Sequence, residues 1–297
     1  MRKTATTRIT MLLLGLFLSL STVCHATEGG GGAYNNGVEG FGAGMFPPPG
    51  TYFLNYINYY TADSLKDKNG NDAIPKFNLD AVAEVARVVH VSKSTLLGAN
   101  VAMQAILPLV HLEVAVPGRS QSNNGFGDLT VSPLILAWHR GNLHYAVGMD
   151  VVLPTGAYDK NDLANIGRNY WTFTPVVAAT YLTNSGYDFS IKFMYDVNTE
   201  NHAWKYQSGD EFHFDYTLAK KFNALSFGAG GYFYTQVSND ENHGPTPTTG
   251  KGQVFAIGPQ IKYDYKNMAF SFKYQKEMLA ENKPEGDKFW FNLMYAF

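Results

Sequence analysis

FWFNLMYAF, residues 289–297, alternates without a break. Phe289, Phe291, Leu293, Tyr295 and Phe297 share one parity; Trp290, Asn292, Met294 and Ala296 share the other. A period of two is a β-strand with two distinct faces. Five apolar or aromatic side chains on one face need a cover, and chain ends fray unless something holds them.

The same pattern recurs upstream. About twelve β-like runs lie near 51–60, 79–92, 95–116, 127–140, 142–154, 170–183, 186–198, 209–222, 224–237, 251–266, 268–279 and 287–297. Most reach the 9–11 residues that a tilted strand needs to cross a bilayer. The expected connections alternate in length. Short ones fall at 92–94, 141, 183–186, 223 and 267; long ones at 61–77, 117–126, 155–169, 199–209, 238–250 and 280–286. Short turns on one side and long loops on the other is the rule for outer-membrane barrels. A soluble sandwich has no reason to keep that order.

The bulk properties agree. Arg2, Lys3 and Arg8, an apolar stretch from Ile9 to Leu20 and the small-residue site Cys24-His25-Ala26 predict an export signal over 1–26. The apolar stretch falls short of the ~20 residues of a spanning helix, and bulky Val23 argues against acylation of Cys24. Cleavage there removes the only cysteine, so no disulfide holds the fold. The rest carries 20 basic against 25 acidic residues, a net charge of −5, which implies no nucleic-acid partner. Mean hydropathy is −0.18, yet there are 19 Tyr and 20 Phe. That combination fits a transmembrane β-barrel, whose strands are apolar on one face only. Residues 27–50, TEGGGGAYNNGVEGFGAGMFPPPG, are too rich in Gly and Pro for a persistent element. The expected organisation is therefore a signal peptide (1–26), an irregular periplasmic or luminal segment (27–50), and an all-β, antiparallel up-and-down barrel of about twelve strands (51–297).

Alternation assigns faces. Tyr187, Phe189, Ile191, Phe193, Tyr195 and Val197 oppose Asp188, Ser190, Lys192, Met194, Asp196 and Asn198. Phe212, Phe214, Tyr216 and Leu218 oppose Glu211, His213, Asp215 and Thr217. Leu143 to Leu153 and Ile261 to Tyr265 read the same way. A charge on the lipid face at midplane costs about 2–4 kcal/mol. The apolar sets are thus expected to face lipid, and Asp150, Lys192, Asp196, His213, Asp215, Lys262, Asp264 and Lys273 to line the lumen. They either pair across it as filling or line a solute path. Alternation slips in 95–116, where Asn100 and Gln104 differ in parity from His111 and Glu113 around Pro108. A β-bulge there, or a kink that opens the wall, would restore the facing. Arg87 falls on the expected outer face, snorkelling or mis-registered. GFGD, 125–128, reads as the start of a strand. Phe289 to Phe297 are expected to face lipid and close the barrel against the first strand. Their pattern resembles the C-terminal signal read by the barrel-assembly machinery, with Phe297 last.

No nucleophile elbow marks a serine and no His/Cys/carboxylate cluster has metal-ligand spacing, so neither enzyme chemistry nor a cofactor is expected.

Three stretches together resemble a known family: PPPGTYFLNYINYY (47–60), GFGDLTVSPLILAWH (125–139) and VVLPTGAYD (151–159). They resemble the outer-membrane family associated with the meta-pathway of phenol degradation. That family is similar in turn to barrels that import long-chain fatty acids and aromatic hydrocarbons, although the Asn-Pro-Ala plug motif of the fatty-acid importers is absent here. The resemblance implies a Gram-negative outer membrane, contact with lipid and lipopolysaccharide, and passage of small hydrophobic or aromatic solutes. The loop aromatics Tyr158, Tyr170, Trp171, Trp204 and Tyr206 either gather such solutes or form the interfacial girdle. A polar-solute channel, a lipid hydrolase and a partner-binding barrel remain as alternatives.

Overall fold

The computed structural model describes residues 31–244 and 250–297. The expected signal segment lies outside the described residues.

Among the described residues, fifteen strands follow one another: β1 (Gly50–Leu65), β2 (Asn78–Leu96), β3 (Ala99–Val116), β4 (Arg119–Phe126), β5 (Leu129–Arg140), β6 (Leu143–Leu153), β7 (Thr172–Leu182), β8 (Tyr187–Asn198), β9 (Tyr206–Gln207), β10 (Glu211–Phe222), β11 (Leu225–Gln236), β12 (Glu241–Asn242), β13 (Gln253–Tyr265), β14 (Met268–Glu281) and β15 (Pro284–Ala296). Every pairing between them is antiparallel. Twelve form a closed barrel in the order β1-β2-β3-β5-β6-β7-β8-β10-β11-β13-β14-β15, with β15 returning to β1. In that seam Ile57 lies opposite Phe291 and Tyr59 opposite Phe289. β4 extends the hairpin from β3 beyond the closed wall, and β9 and β12 pair with each other in the loops.

The outward face is apolar: Phe189, Phe193, Leu218, Phe227, Phe272 and Phe291 are all exposed. Water would not tolerate such a continuous belt, whereas a bilayer requires it. The inward faces of β8 and β10 bury Lys192, Asp196, His213 and Asp215. Because their two faces differ so sharply in polarity, only one register is tolerable.

Several boundaries differ from the sequence reading. The expected turn at 92–94 is a bulge inside β2, between Val91 and Thr95. The real turn is Leu97–Gly98, with φ of 55° and 74°; a two-residue hairpin that matches strand twist needs both positive. The expected loop 117–126 contains β4, and GFGD spans the break between β4 and β5: Gly125 and Phe126 end β4, and Gly127 and Asp128 lie between the strands. The expected long loop 280–286 is a two-residue connection, because β14 and β15 run on past it. Pro108 makes no bulge in β3. Pairing with β2 continues unbroken from Asn78↔Ala115 to Val91↔Ala102. The disruption falls in the neighbouring strand, where Gly127 closes on Pro108; a Cβ at Gly127 would sit 2.7 Å from the proline ring.

Arg87 points inward and donates to Gln104, Glu39 and Tyr56. The outer-face reading failed because the outward face of β2 carries charge of its own: Asp80 and Glu84 share the parity of Val82 and Val88, so alternation pointed the wrong way. Val82 and Val88 are exposed outward while Val85 and Val89 are buried inward.

Candidate functional site

Residues 31–49 run inside the barrel. Glycine suits this position because strand walls leave little room. A Cβ at Gly44 would lie 2.7 Å from the Ala179 backbone, and Gly37 holds φ at 86°. With few side chains to offer, the segment is gripped through its peptide groups. The amides of Gly37 and Glu39 donate to Asp215 at 2.8 and 3.0 Å, and the Tyr34 hydroxyl joins them at 2.8 Å. Lys273 Nζ donates to the carbonyls of Gly37, Val38 and Glu39 at 2.6, 2.7 and 3.0 Å. Lower down, the Gly42 amide meets Asp188 and Ser190, and the Gly44 amide meets Thr180. Phe46 packs on an apolar cluster with Tyr52, Val89 and Ile135 near the short-turn end.

One charged side chain of the segment reaches the opposite wall. Glu39 Oε1 is 2.8 Å from Arg87 and 3.6 Å from Lys192. Burial alone would raise the carboxyl, but Arg87, then Lys192 and Lys273, hold it down to about 2. Arg87 continues the network through Gln104 to Ser132, whose hydroxyl donates to Asp150.

The sequence-derived candidates therefore fall into three groups. Asp215, Lys273 and Lys192 hold the segment, and Asp150 braces Gln104 and Ser132 on the wall that holds Arg87. Asp196 and His213 are buried together 3.1 Å apart, above the segment toward the long loops. Near the short-turn end Asp264 pairs with both Lys262 and Lys221, at 2.9 and 2.7 Å. Sequence reasoning missed Glu39, Gln275 and Lys288. The last two share inward parity with Lys273 and Trp290 and could have been found by extending β14 and β15.

Above the segment, on the long-loop side, lies a cavity of about 910 Å³. Its polar boundary includes Asn36, Asn58, Glu277 and Lys288. Its other wall is apolar: Ala83 and Val85 of β2 with Ile106, Val110, Leu112 and Val114 of β3. Val38 of the segment rests on this wall. Of the five loop aromatics, Tyr158 and Trp204 border the cavity. Tyr170 and Tyr206 are buried in loop packing, and Trp171 stacks on Phe173 at the outer surface. The cavity's loop side is held by Asp128, which accepts the amides of Gly156 and Arg168. The GFGD and PTGAYD motifs are thereby clasped together.

Among the described residues, no group of three or more His, Cys, Asp or Glu side chains could hold a metal ion.

The profile of the family described as "Putative MetA-pathway of phenol degradation" matches residues 62–293. Solved structures match over most of the chain. The COG4313 outer-membrane channel from Pseudomonas putida F1 superposes with a TM-score of 0.77 at 16% identity, covering 85% of this chain and 97% of that one. The β domain of the Bordetella autotransporter BrkA gives 0.48 at 8% identity, covering 84% and 99%. A deletion mutant of TodX, a monoaromatic hydrocarbon channel, gives 0.44 at 10% identity, covering 84% and 91%. No curated sequence matches significantly.

Proposed function

The chain belongs to the MetA-pathway phenol-degradation family, and from that premise we propose that it is an outer-membrane channel for small apolar or aromatic molecules, stoppered by residues 31–49. One observation carries this reading. An aqueous pore has a polar lining, but here the inner faces of β2 and β3 are apolar from Leu79 to Val85 and from Ile106 to Val116, with Arg87 entering only where Glu39 meets the wall. Such a wall gains by contact with hydrocarbon at about 25 cal/mol per Å², and a cavity of about 910 Å³ is in the range of small-molecule sites. Solute enters from the long-loop, extracellular side and meets this wall first. Passage then requires the glycine-rich segment to yield.

The test is uptake of radiolabelled toluene at low external concentration, where the outer membrane limits entry. Cells carrying the protein should take it up faster than cells without it. Val110→Asp together with Leu112→Asp should abolish the gain, with assembly checked by heat-modifiable gel migration. Equal uptake with and without an assembled barrel sinks the reading. The mixed charges around Lys192 and Asp215 favour a second reading, a polar-solute channel. That reading requires ion conductance that responds to charge reversal at those two positions.

A further inference from the structure

The cavity has a second side. The turn between β14 and β15 and the top of β15 bring Lys283 and Lys288 to its boundary, and the β6–β7 loop brings Arg168. Lys288 is mostly buried. Its ammonium donates to the Asn36 carbonyl at 3.2 Å and stands over the rings of Tyr60 and Tyr232 at 5.1 and 4.6 Å. Its nearest carboxylate, Glu277, is 3.9 Å away and already accepts from the Tyr60 and Tyr232 hydroxyls and the Gly286 amide. Lys283 stands 4.0 Å over the Tyr234 ring. Arg168 uses its backbone amide on Asp128, and its guanidinium lies against the backbone of Gly31 at the cavity's edge.

These cations feel one another. Burial pushes the Lys283 ammonium down to about 8, and Lys288 and Arg168 add to that, against the pull of Glu211 and Glu277. Three positive groups, with the Glu277 carboxylate among them, have thus been gathered at one edge of a cavity whose opposite edge is hydrocarbon. Like charges collected in a partly desolvated place favour an anion. The apolar wall requires that anion to carry a hydrocarbon body.

We propose that the cavity binds an amphipathic monocarboxylate, an aromatic or alicyclic acid whose ring lies on the β2–β3 wall and whose carboxylate is received by Arg168, Lys283 and Lys288. This rests on the channel reading above and narrows its solute class. Arginine suits the role because its fork meets a carboxylate in two parallel hydrogen bonds.

The experiment is calorimetric titration of the purified full barrel with 4-isopropylbenzoate and, separately, with its methyl ester, at neutral pH. The two share the hydrocarbon body and differ in charge. The acid should bind about tenfold tighter than the ester or better, the factor expected of one or two charge-assisted hydrogen bonds. In Arg168→Met with Lys288→Met the ratio should fall to about one. Arg168→Gln alone, in a loop, gives an intermediate ratio and guards against misfolding of the double variant. A merely structural role for Lys288 would move both affinities together and leave the ratio intact. An ester that binds as tightly as the acid overturns the inference and leaves the channel reading standing. A preference that survives the double variant overturns the assignment of the cations. Binding of neither compound overturns the channel reading and the inference with it.

Discussion

Asp215 and Lys273 hold the same three residues of the luminal segment by opposite poles of the peptide. Asp215 accepts the amide protons of Gly37 and Glu39, and Lys273 donates to the carbonyls of Gly37, Val38 and Glu39. Each bond is charge-assisted, and such bonds contribute about 1.5–3 kcal/mol apiece. Asp215→Asn or Lys273→Met should raise the fraction of open barrels at least about tenfold. Single-channel recording in planar bilayers reads this directly. Unchanged conductance in a correctly assembled variant would show that the segment is not the barrier.

Backbone crowding gives an independent route to the same end. Gly44→Val would drive a side chain into Ala179 and break the bond from the Gly44 amide to Thr180 Oγ1. The lower part of the segment should leave the wall while Asp215 and Lys273 still hold the upper part. Limited proteolysis from the short-turn side should then cut after residue 40 in the variant and spare the parent protein.

Docking should also depend on pH. Glu39 titrates near 4.5 when free and at about 2 when docked. The docked form therefore binds fewer protons. The contribution of Glu39, about 3 kcal/mol by linkage, is complete above the free value and is lost as pH falls through about 2. Conductance should be flat above about pH 4.5 and climb below it. In Glu39→Gln that climb should be missing from this window, and the channel should be leaky at neutral pH.

On the outer surface, Glu84 lies at the level of Ile57 and Phe291, in the middle of the apolar belt, with Asn55 as its partner at 3.0 Å. A carboxyl facing hydrocarbon is unfavourable, though less so than a lysine or arginine. Glu84→Leu should stabilise the barrel in vesicles by roughly 1 kcal/mol, seen as a higher urea midpoint at unchanged slope.

The barrel was legible wherever the two faces of a strand disagreed. Phe193 beside Lys192, or Phe214 beside Asp215, leaves one tolerable orientation, and β6, β8, β10, β13 and β15 were read from such pairs. β2 and β3 were not, because Val85 and Val88 look alike to a pattern yet face opposite ways. The cavity wall is made of those two strands, so the feature that most bears on function was the one that alternation hid. The luminal segment was hidden for another reason. Its contacts are made by peptide groups, which every residue has, and glycine sequence says only that space is short. Glu39 and its partner Arg87 are 48 residues apart, and nothing local links them.

The order of assembly follows from the seam. The luminal segment immediately precedes β1, and β1 is hydrogen-bonded to β15, the last strand of the barrel. Asp215, Lys273 and Lys288 all lie well over a hundred residues downstream of the peptides they hold. Contacts so distant in the chain form late and slowly. The grip on the segment is therefore complete only when β10, β14 and β15 are in place, so a barrel short of its last strands has nothing to hold its own stopper.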